Sequence, residues 1–449
     1  SISGRGSGHG IGMSQWGARG LAAEGSAYKD ILRHYYTGIG FGEIGSPTVR
    51  VLLQSGLSAV KLTCPEAFTV RGSADAVTIP AGTPATTTYV DGKYRVVAGG
   101  WSRDFGAPVT FAPTANRLTV LTTTDAGVTG PHRGTIRVVA SGGTLMMIND
   151  VGMQSYLRGV VAYEMPASWP AEALKAQACA ARSYAERARL QGTGEFDLYC
   201  DTRSQLYGGV AREDERTDAA VVATVGVVPS VAGEPIQAFY FSCSGGQTEN
   251  IELAWQTSPL SYLKGVDDPY DDAAPLHTWG PLSRPAAELE AALGTAVKGS
   301  LVAVCRVERG ISPRIVKAAV IGTEGTTFIH GSTLRAKLAL SSAWATFTSM
   351  SMVPAASDGV TIAAGESVTL EGRIYPALPA DAVVALYSES DGVWHSQSVS
   401  TGRHTQALPD GYSTVYSTYS VTVSPSATTR YYFESGSVTS PTTTVTVTG

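Results

Sequence analysis

Glu164 stands between the apolar run 159–163 and Met165-Pro166. A carboxyl beside apolar and aromatic groups is desolvated, which raises its pKa and lets it serve as a general acid near neutral pH. An exposed carboxylate next to a helix would do nothing of the kind, and the sequence alone leaves both readings open. Lys175 and Arg182 follow, seven residues apart and so on one helical face, where they meet either an anion or solvent. A second cluster opens the chain: glycine at 4, 6, 8, 10 and 12 surrounds His9 and leads into Ser14, Gln15 and Trp16. So much glycine permits positive φ and close backbone approach. The spacing breaks the dinucleotide fingerprint, no Gly-Lys-Ser/Thr follows, and Ser14 misses the nucleophile-elbow register by one residue. A flexible loop presenting His9, Ser14 and Gln15 ahead of a helix remains, against the plainer reading of a packed glycine turn.

Two further segments, 199–209 and 239–249, combine aromatics, hydroxyls and paired glycines. They contain Asp201, Gln205, Tyr207, Cys243, Ser244, Gly245, Gly246, Gln247 and Glu249. The mixture suits a sugar and also suits ordinary turns. Cys243 has no histidine at a nucleophile-like spacing, and neither a C-x-x-C nor an H-x-x-x-H pair exists to hold zinc.

The elements that must carry these residues predict an α+β chain. Residues 13–36 have apolar positions at helical spacing with a break near Gly25. Residues 171–190 are the stronger helix: Ser168 is the expected cap, Pro170 fits the first turn, and Leu174, Ala178, Ala181 and Ala185 form an apolar stripe. A short helix is expected over 285–293. Segments 49–53, 67–70, 94–97, 118–121, 136–139 and 145–148 read as strands. From about Ser351 lysine disappears, serine and threonine approach a third of residues, and short strands (368–374, 383–387, 419–423, 430–433, 443–447) alternate with turns. That pattern predicts an immunoglobulin-like β-sandwich over 351–449.

A length of 449 residues allows two or three domains. Hydrophobic residues at 43% support a packed core, and a net charge of −5 argues against nucleic-acid binding. The best apolar stretch, 219–233, is too short to span a membrane and contains Pro229. Low Lys plus Arg, abundant glycine and the Ser/Thr-rich end point outside the cell. The start at Ser1, with no signal peptide in view, suggests a processed or trimmed chain. Five cysteines then allow two disulfides and a spare thiol, and a bridge from Cys200 to Cys243 or Cys179 is the expected one.

Taken together, the four segments resemble the SpoIID/LytB family of bacterial cell-wall proteins, over roughly residues 1–350. The segment 8–18 resembles that family's glycine-histidine signature, and the helix after it ends in His34-Tyr35-Tyr36. Glu164-Met165-Pro166, with 172–177 and 180–184, resembles its core motif. Asp201-Thr202, Gln205, Tyr207-Gly208, Ser244-Gly245-Gly246 and Leu334-Arg335 resemble the remainder. The resemblance implies a SpoIID-like domain over 1–350 (glycine-histidine segment and helix 1–40, β-rich subregion 45–150, catalytic core 151–350). It implies a secreted, wall-associated lytic transglycosylase that cleaves peptidoglycan glycan strands stripped of stem peptides. Glu164 is then the catalytic acid, with His9, Ser14, Gln15, Arg182, Gln205, Tyr207, Ser244, Gly245, Gly246 and Gln247 as substrate contacts. No cofactor, metal, membrane span or nucleic acid is expected. Other wall or surface proteins are candidate partners for the C-terminal sandwich. A hydrolase would need a second carboxylate, for which Asp201 and Glu249 are nearest.

Two departures from the family pattern stand out. The glycine-histidine segment, near the end of the domain in better-known members, opens this chain, as in a circular permutation; residues 1–38 are therefore expected to fold back on the segment around Glu164. Phe241 stands where some members have histidine. The rival readings are a non-catalytic wall-binding, surface-assembly or amidase-modifier protein, and a cysteine peptidase built on Cys243.

Overall fold

The computed structural model describes residues 1–449 except 74, 354–358, 391 and the side chain of 390. Two compact units emerge. One comprises Gly12–Tyr240 with Ser261–Lys264; the other comprises Ser1–Ile11, Phe241–Leu260 and Gly265–Gly449. The α+β expectation holds: several packed sheets carry a few helices.

In the first unit two large sheets enclose the main core. A seven-stranded sheet has Thr144–Gly152 and Thr135–Ser141 at its middle, and a six-stranded sheet has Ala85–Val90 and Ala59–Thr63. Alternation drives them: in Lys93–Ala98 the residues Tyr94, Val96 and Ala98 are buried while those between are exposed. All six strands expected between 45 and 150 are present and start within a residue of the expected position, but Thr48–Leu57 and Thr144–Gly152 run four residues further than expected. Others, such as Ala76–Ile79 and Trp101–Phe105, are additional. At four and five residues they are too short for alternation to give a clear signal.

The helices of this unit run in chain order α1 (Gln15–Ala23), α2 (Tyr28–Tyr35), α3 (Met153–Glu164), α4 (Ala171–Gln191) and α5 (Glu215–Ala223). The break at Gly25 separates α1 from α2 as the sequence predicts. Helix α3 was not anticipated beyond an apolar run. Met153, Tyr156, Leu157, Val160 and Val161 are nonetheless buried at the spacing of one helical face. Pro166 disfavours helical dihedrals at Met165, which is extended (φ −127°, ψ 138°), so α3 stops at Glu164. Helix α4 begins where expected, but Pro170 occupies the cap position without any side-chain cap bond, so Ser168 does not cap it. Its predicted narrow stripe is also too modest: Ala176, Gln177, Cys179, Ala180, Arg182 and Ser183 are buried as well. Small side chains let neighbours crowd α4 from several sides. One is α2, whose Tyr28 N–H donates to Glu172 Oε2 at 2.8 Å.

The second unit contains α6 (Ile251–Trp255), α7 (Ala286–Leu293) and α8 (Gly331–Lys337). Strand Ile2–Arg5 lies between Thr278–Leu282 and Ala345–Phe347 in a three-stranded antiparallel sheet. Leu301–Arg309, Ile315–Gly322 and Gly325–His330 form another sheet. Strands between Ser349 and Thr448 pair only with one another among the described residues, in two sheets about a shared core that includes Leu370, Leu386, Tyr419, Phe433 and Val445. The five strands expected there are present. Val393–Val399 is additional; it is exposed almost throughout, which removes the alternation that would have revealed it.

No disulfide forms. Cys64, Cys179, Cys200, Cys243 and Cys305 are buried free thiols, so the expected bridge from Cys200 is corrected. Cys200 Sγ sits in the β core with the Leu53 carbonyl as its partner at 3.3 Å, whereas Cys179 is seated on α4 beside Arg182. Burial pushes the Cys179 and Cys200 thiols up to about 11 and Cys243 to about 12. Among the described residues, no helix is long and apolar enough to cross a membrane.

Candidate functional site

Glu164 is the last residue of α3, where the helix presents unpaired carbonyls and the negative end of its dipole. The residue as a whole is half-buried, and burial of the carboxyl dominates its environment and raises its pKa. Three donors moderate that rise. Leu206 N–H donates to Oε1 at 2.8 Å, Tyr240 contributes its hydroxyl, and Gln15 Nε2 reaches Oε2 at 3.4 Å. Gln15 also donates to the Glu164 backbone carbonyl at 3.2 Å and so satisfies one orphan acceptor at the helix end. The phenols of Tyr156, Tyr184 and Tyr240 interact with the carboxyl and are themselves raised by burial. No cation contributes to the shift at Glu164. A carboxyl of this kind can hold a proton, release it to a substrate oxygen and take one back.

Ser14 caps α1: its Oγ accepts the Gly17 N–H at 3.1 Å and is fully buried. The cap fixes the start of α1, and thereby Gln15. Gln205 is buried below the carboxyl, accepting the Tyr156 hydroxyl at 2.9 Å and donating to Tyr240 at 2.9 Å. Tyr207 is buried too, with its hydroxyl on Asn149 Oδ1 at 2.8 Å. Asn149 in turn donates to the Arg133 and Thr135 carbonyls. The Tyr207 ring lies against Gly159, where a Cβ would come within 2.8 Å of Cε2. Arg182 is buried and spends its guanidinium on Val227 O (2.9 Å), Val221 O (3.3 Å), Thr224 and Gln154. Its role in the fold is to join α4 to α5 and to strand Val227–Val231. Asp201 pairs with Arg203, whose hydrogen bond holds the carboxyl below its ordinary value.

Sequence reasoning missed two tryptophans beside these motifs. Trp16, next to Gln15, meets Trp169, five residues after Glu164, edge to face at 4.9 Å, with the Arg19 guanidinium 5.1 Å from the Trp16 ring. Both rings are partly exposed. Tryptophan within each of the two motif segments was the available signal.

The remaining predicted site residues belong to the other unit. The opening segment is divided at Ile11/Gly12: Gln15 is in the unit of Glu164, His9 in the other. His9 packs between Phe241 (5.3 Å) and Trp255 (5.0 Å), and its Nδ1 accepts the Ile11 N–H at 3.0 Å. It lines a cavity of about 30 Å³, room for one water, with Glu249, Arg314, Ser332 and Arg335. Ser244, Gly245 and Gly246 form a turn held by buried Asp271, which accepts from Ser244 Oγ at 3.0 Å and Gly245 N–H at 2.7 Å. Gln247 donates to Asp267 at 3.1 Å. Glu249 is buried; Asn250 N–H, Ile311 N–H and Ser312 Oγ donate to its carboxylate. Cys243 is buried with its thiol raised, which is the opposite of an activated nucleophile. Among the described residues no cluster of three or more His, Cys, Asp and Glu could hold a metal.

Residues 141–229, which contain α3, α4 and Glu164, match the SpoIID stage II sporulation protein domain. The chain is 34% identical over 212 residues to Stage II sporulation protein D of Bacillus subtilis, covering 44% of this chain and 60% of that protein. It is 37% identical over 145 residues to the protein of the same name from Bacillus amyloliquefaciens, 28% and 42% of the two chains. An amidase enhancer of Bacillus subtilis is 42% identical over 115 residues, 26% of this chain and 15% of the relative. In each case the match spans less than two thirds of the relative's own length. The likeness to the SpoIID family is therefore carried by residues 141–229, the segment that holds Glu164.

Proposed function

We propose that the protein acts on the bacterial cell wall outside the cytoplasm as a peptidoglycan lytic transglycosylase, with Glu164 as its single acid and base. Protonated Glu164 donates its proton to the oxygen of the β-1,4 bond between N-acetylmuramic acid and N-acetylglucosamine, and the C1–O bond breaks through an oxocarbenium-like transition state. The carboxylate then takes the proton of the muramic acid C6 hydroxyl, whose oxygen closes on C1 to give a 1,6-anhydro end. One carboxyl serves both steps and is restored.

The observation that carries this reading is the setting of Glu164: a carboxyl raised by burial at a helix C-terminus, held by Gln15, Leu206 and Tyr240, with no cation contributing to its shift. The rival second carboxylates are otherwise engaged, Asp201 by Arg203 and Glu249 by three donors. In this reading the C-terminal strands form an immunoglobulin-like spacer or wall contact.

The amidase-enhancer relative favours one alternative, a non-catalytic wall-bound modifier of another enzyme. Digestion of intact and amidase-stripped glycan strands by wild type and Glu164→Gln, read by mass spectrometry, decides between them. Anhydro-muramyl ends from wild type alone support the enzyme. Reducing ends would make it a hydrolase. No cleavage, with both proteins retained on wall material, would replace the enzyme by the modifier.

A further inference from the structure

Gln205 touches three groups, and together they fix which way its amide points. Nε2 approaches the Ala181 backbone carbonyl of α4 at 3.4 Å, and a carbonyl can only accept. The nitrogen must therefore face α4, and Oε1 takes the hydroxyl proton of Tyr156 at 2.9 Å. The second N–H of the amide then lies on the Tyr240 oxygen at 2.9 Å. The Tyr240 hydroxyl also hydrogen-bonds Glu164, and because an ionised carboxylate can only accept, the phenol gives its proton to that bond. Gln205 is 1% exposed, so water does not substitute for any of these bonds.

We infer that Gln205 is a positioning residue for the acid rather than a substrate contact: anchored by Ala181 and Tyr156, it holds the Tyr240 hydroxyl as a donor to Glu164. The chain of bonds runs one way, from α3 (Tyr156) through Gln205 to Tyr240 and back to the end of α3. It stabilises the ionised carboxylate left after proton donation, and it opposes the burial that favours the protonated form. The titratable groups that interact with Glu164 are Tyr156, Tyr184 and Tyr240. All three are raised phenols, and Tyr184 has Ser204 as its own hydroxyl partner.

The inference rests on Glu164 as the acid, yet its first readout needs no cleavage. The titration of Glu164 in protein carrying ¹³C-labelled glutamate is followed by NMR. Tyr240→Phe keeps the ring and removes the donor, and should move the midpoint up by about 0.5 to 1 unit, the worth of one hydrogen bond. Gln205→Met should move it up by less. The double variant should match Tyr240→Phe alone, because Gln205 acts only through Tyr240. Additive shifts, or a fixed midpoint in Gln205→Met, would overturn the relay. If Gln205→Met does not fold, Tyr240→Phe decides alone, and an unmoved midpoint there also overturns it. Where wild type cleaves, the basic limb of its pH profile should move with the midpoint at unchanged KM. A raised KM with an unmoved limb would return Gln205 to the substrate. Absence of cleavage in wild type would sink the enzymatic reading and leave the titration to judge the relay.

Discussion

Two glutamates, Glu164 in one unit and Glu249 in the other, are both taken from water and both receive hydrogen bonds, yet they are built to opposite ends. Glu249 is almost wholly enclosed, receives donors on both oxygens, and has the buried Arg314 guanidinium as an electrostatic partner. A buried charge so compensated is a structural anchor. Glu164 receives a 2.8 Å bond from a backbone N–H, a long one of 3.4 Å from Gln15, and the hydroxyl of Tyr240. It sits at the wrong end of a helix dipole for an anion, on a residue that is only half-buried. Anchoring neutralises a carboxylate, whereas leaving it under-compensated keeps a proton available.

The comparison is broken most directly at Glu164. Glu164→Gln should lower the rate of glycan cleavage by about 10²- to 10⁴-fold, the range expected for loss of a general acid–base group. It should leave the folded protein intact by circular dichroism. Glu249→Gln should do the reverse: its amide would turn a donor toward Asn250, Ile311 or Ser312, costing about 1–3 kcal/mol of stability in urea titration. Cleavage per folded molecule should stay near wild type. Equal activity losses in the two variants would erase the distinction.

A smaller effect sharpens it. A raised carboxyl binds its proton more tightly in the folded chain than in the unfolded one. Its stabilising contribution is full at low pH and falls as pH rises from the ordinary carboxyl range through the raised value. Glu164→Gln should therefore gain melting temperature over wild type as pH increases through that window, and show the least gain at acid pH. An advantage that grows toward acid would contradict the raised carboxyl. Asp201 is held low by Arg203, so Asp201→Asn should leave the basic limb of the cleavage profile where it is. The smallest expected effect is none: alkylating reagent applied to the native protein should spare activity, because all five thiols are buried. Inactivation with modification mapped to Cys243 would revive the thiol as a nucleophile.

Much of this could be read from the chain. Alternation marks strands such as Lys93–Ala98, and an alanine-rich run marks α4. Glu164 is legible as a candidate acid because apolar residues precede it and Met165-Pro166 follows; its burial and the helix it ends are not. The functions of its neighbours are less legible. Gln205, Tyr207 and Arg182 look like surface chemistry in a linear motif, but they lie buried, engaged with Tyr156 and Tyr240, with Asn149, and with the carbonyls of Val221 and Val227. Polar residues in a motif satisfy the backbone as often as they meet a ligand, and only three-dimensional partners separate the two. Cysteine parity misled for a related reason. A count of five suggests bridges, whereas pairing needs Cβ atoms that face each other, and Cys200 faces the Leu53 carbonyl instead.

Strand Ile2–Arg5 has one more consequence, for the order in which the chain can be completed on the ribosome. It is the middle strand of its sheet, and its partners are Thr278–Leu282 and Ala345–Phe347. At about 5–20 residues per second, roughly 20 to 70 s of synthesis separate that strand from its second neighbour. Both edges stay open until Thr278–Leu282 is made, and one stays open to any other extended segment until Ala345–Phe347 follows. The first piece of this sheet to be made is thus complete only when the last one arrives.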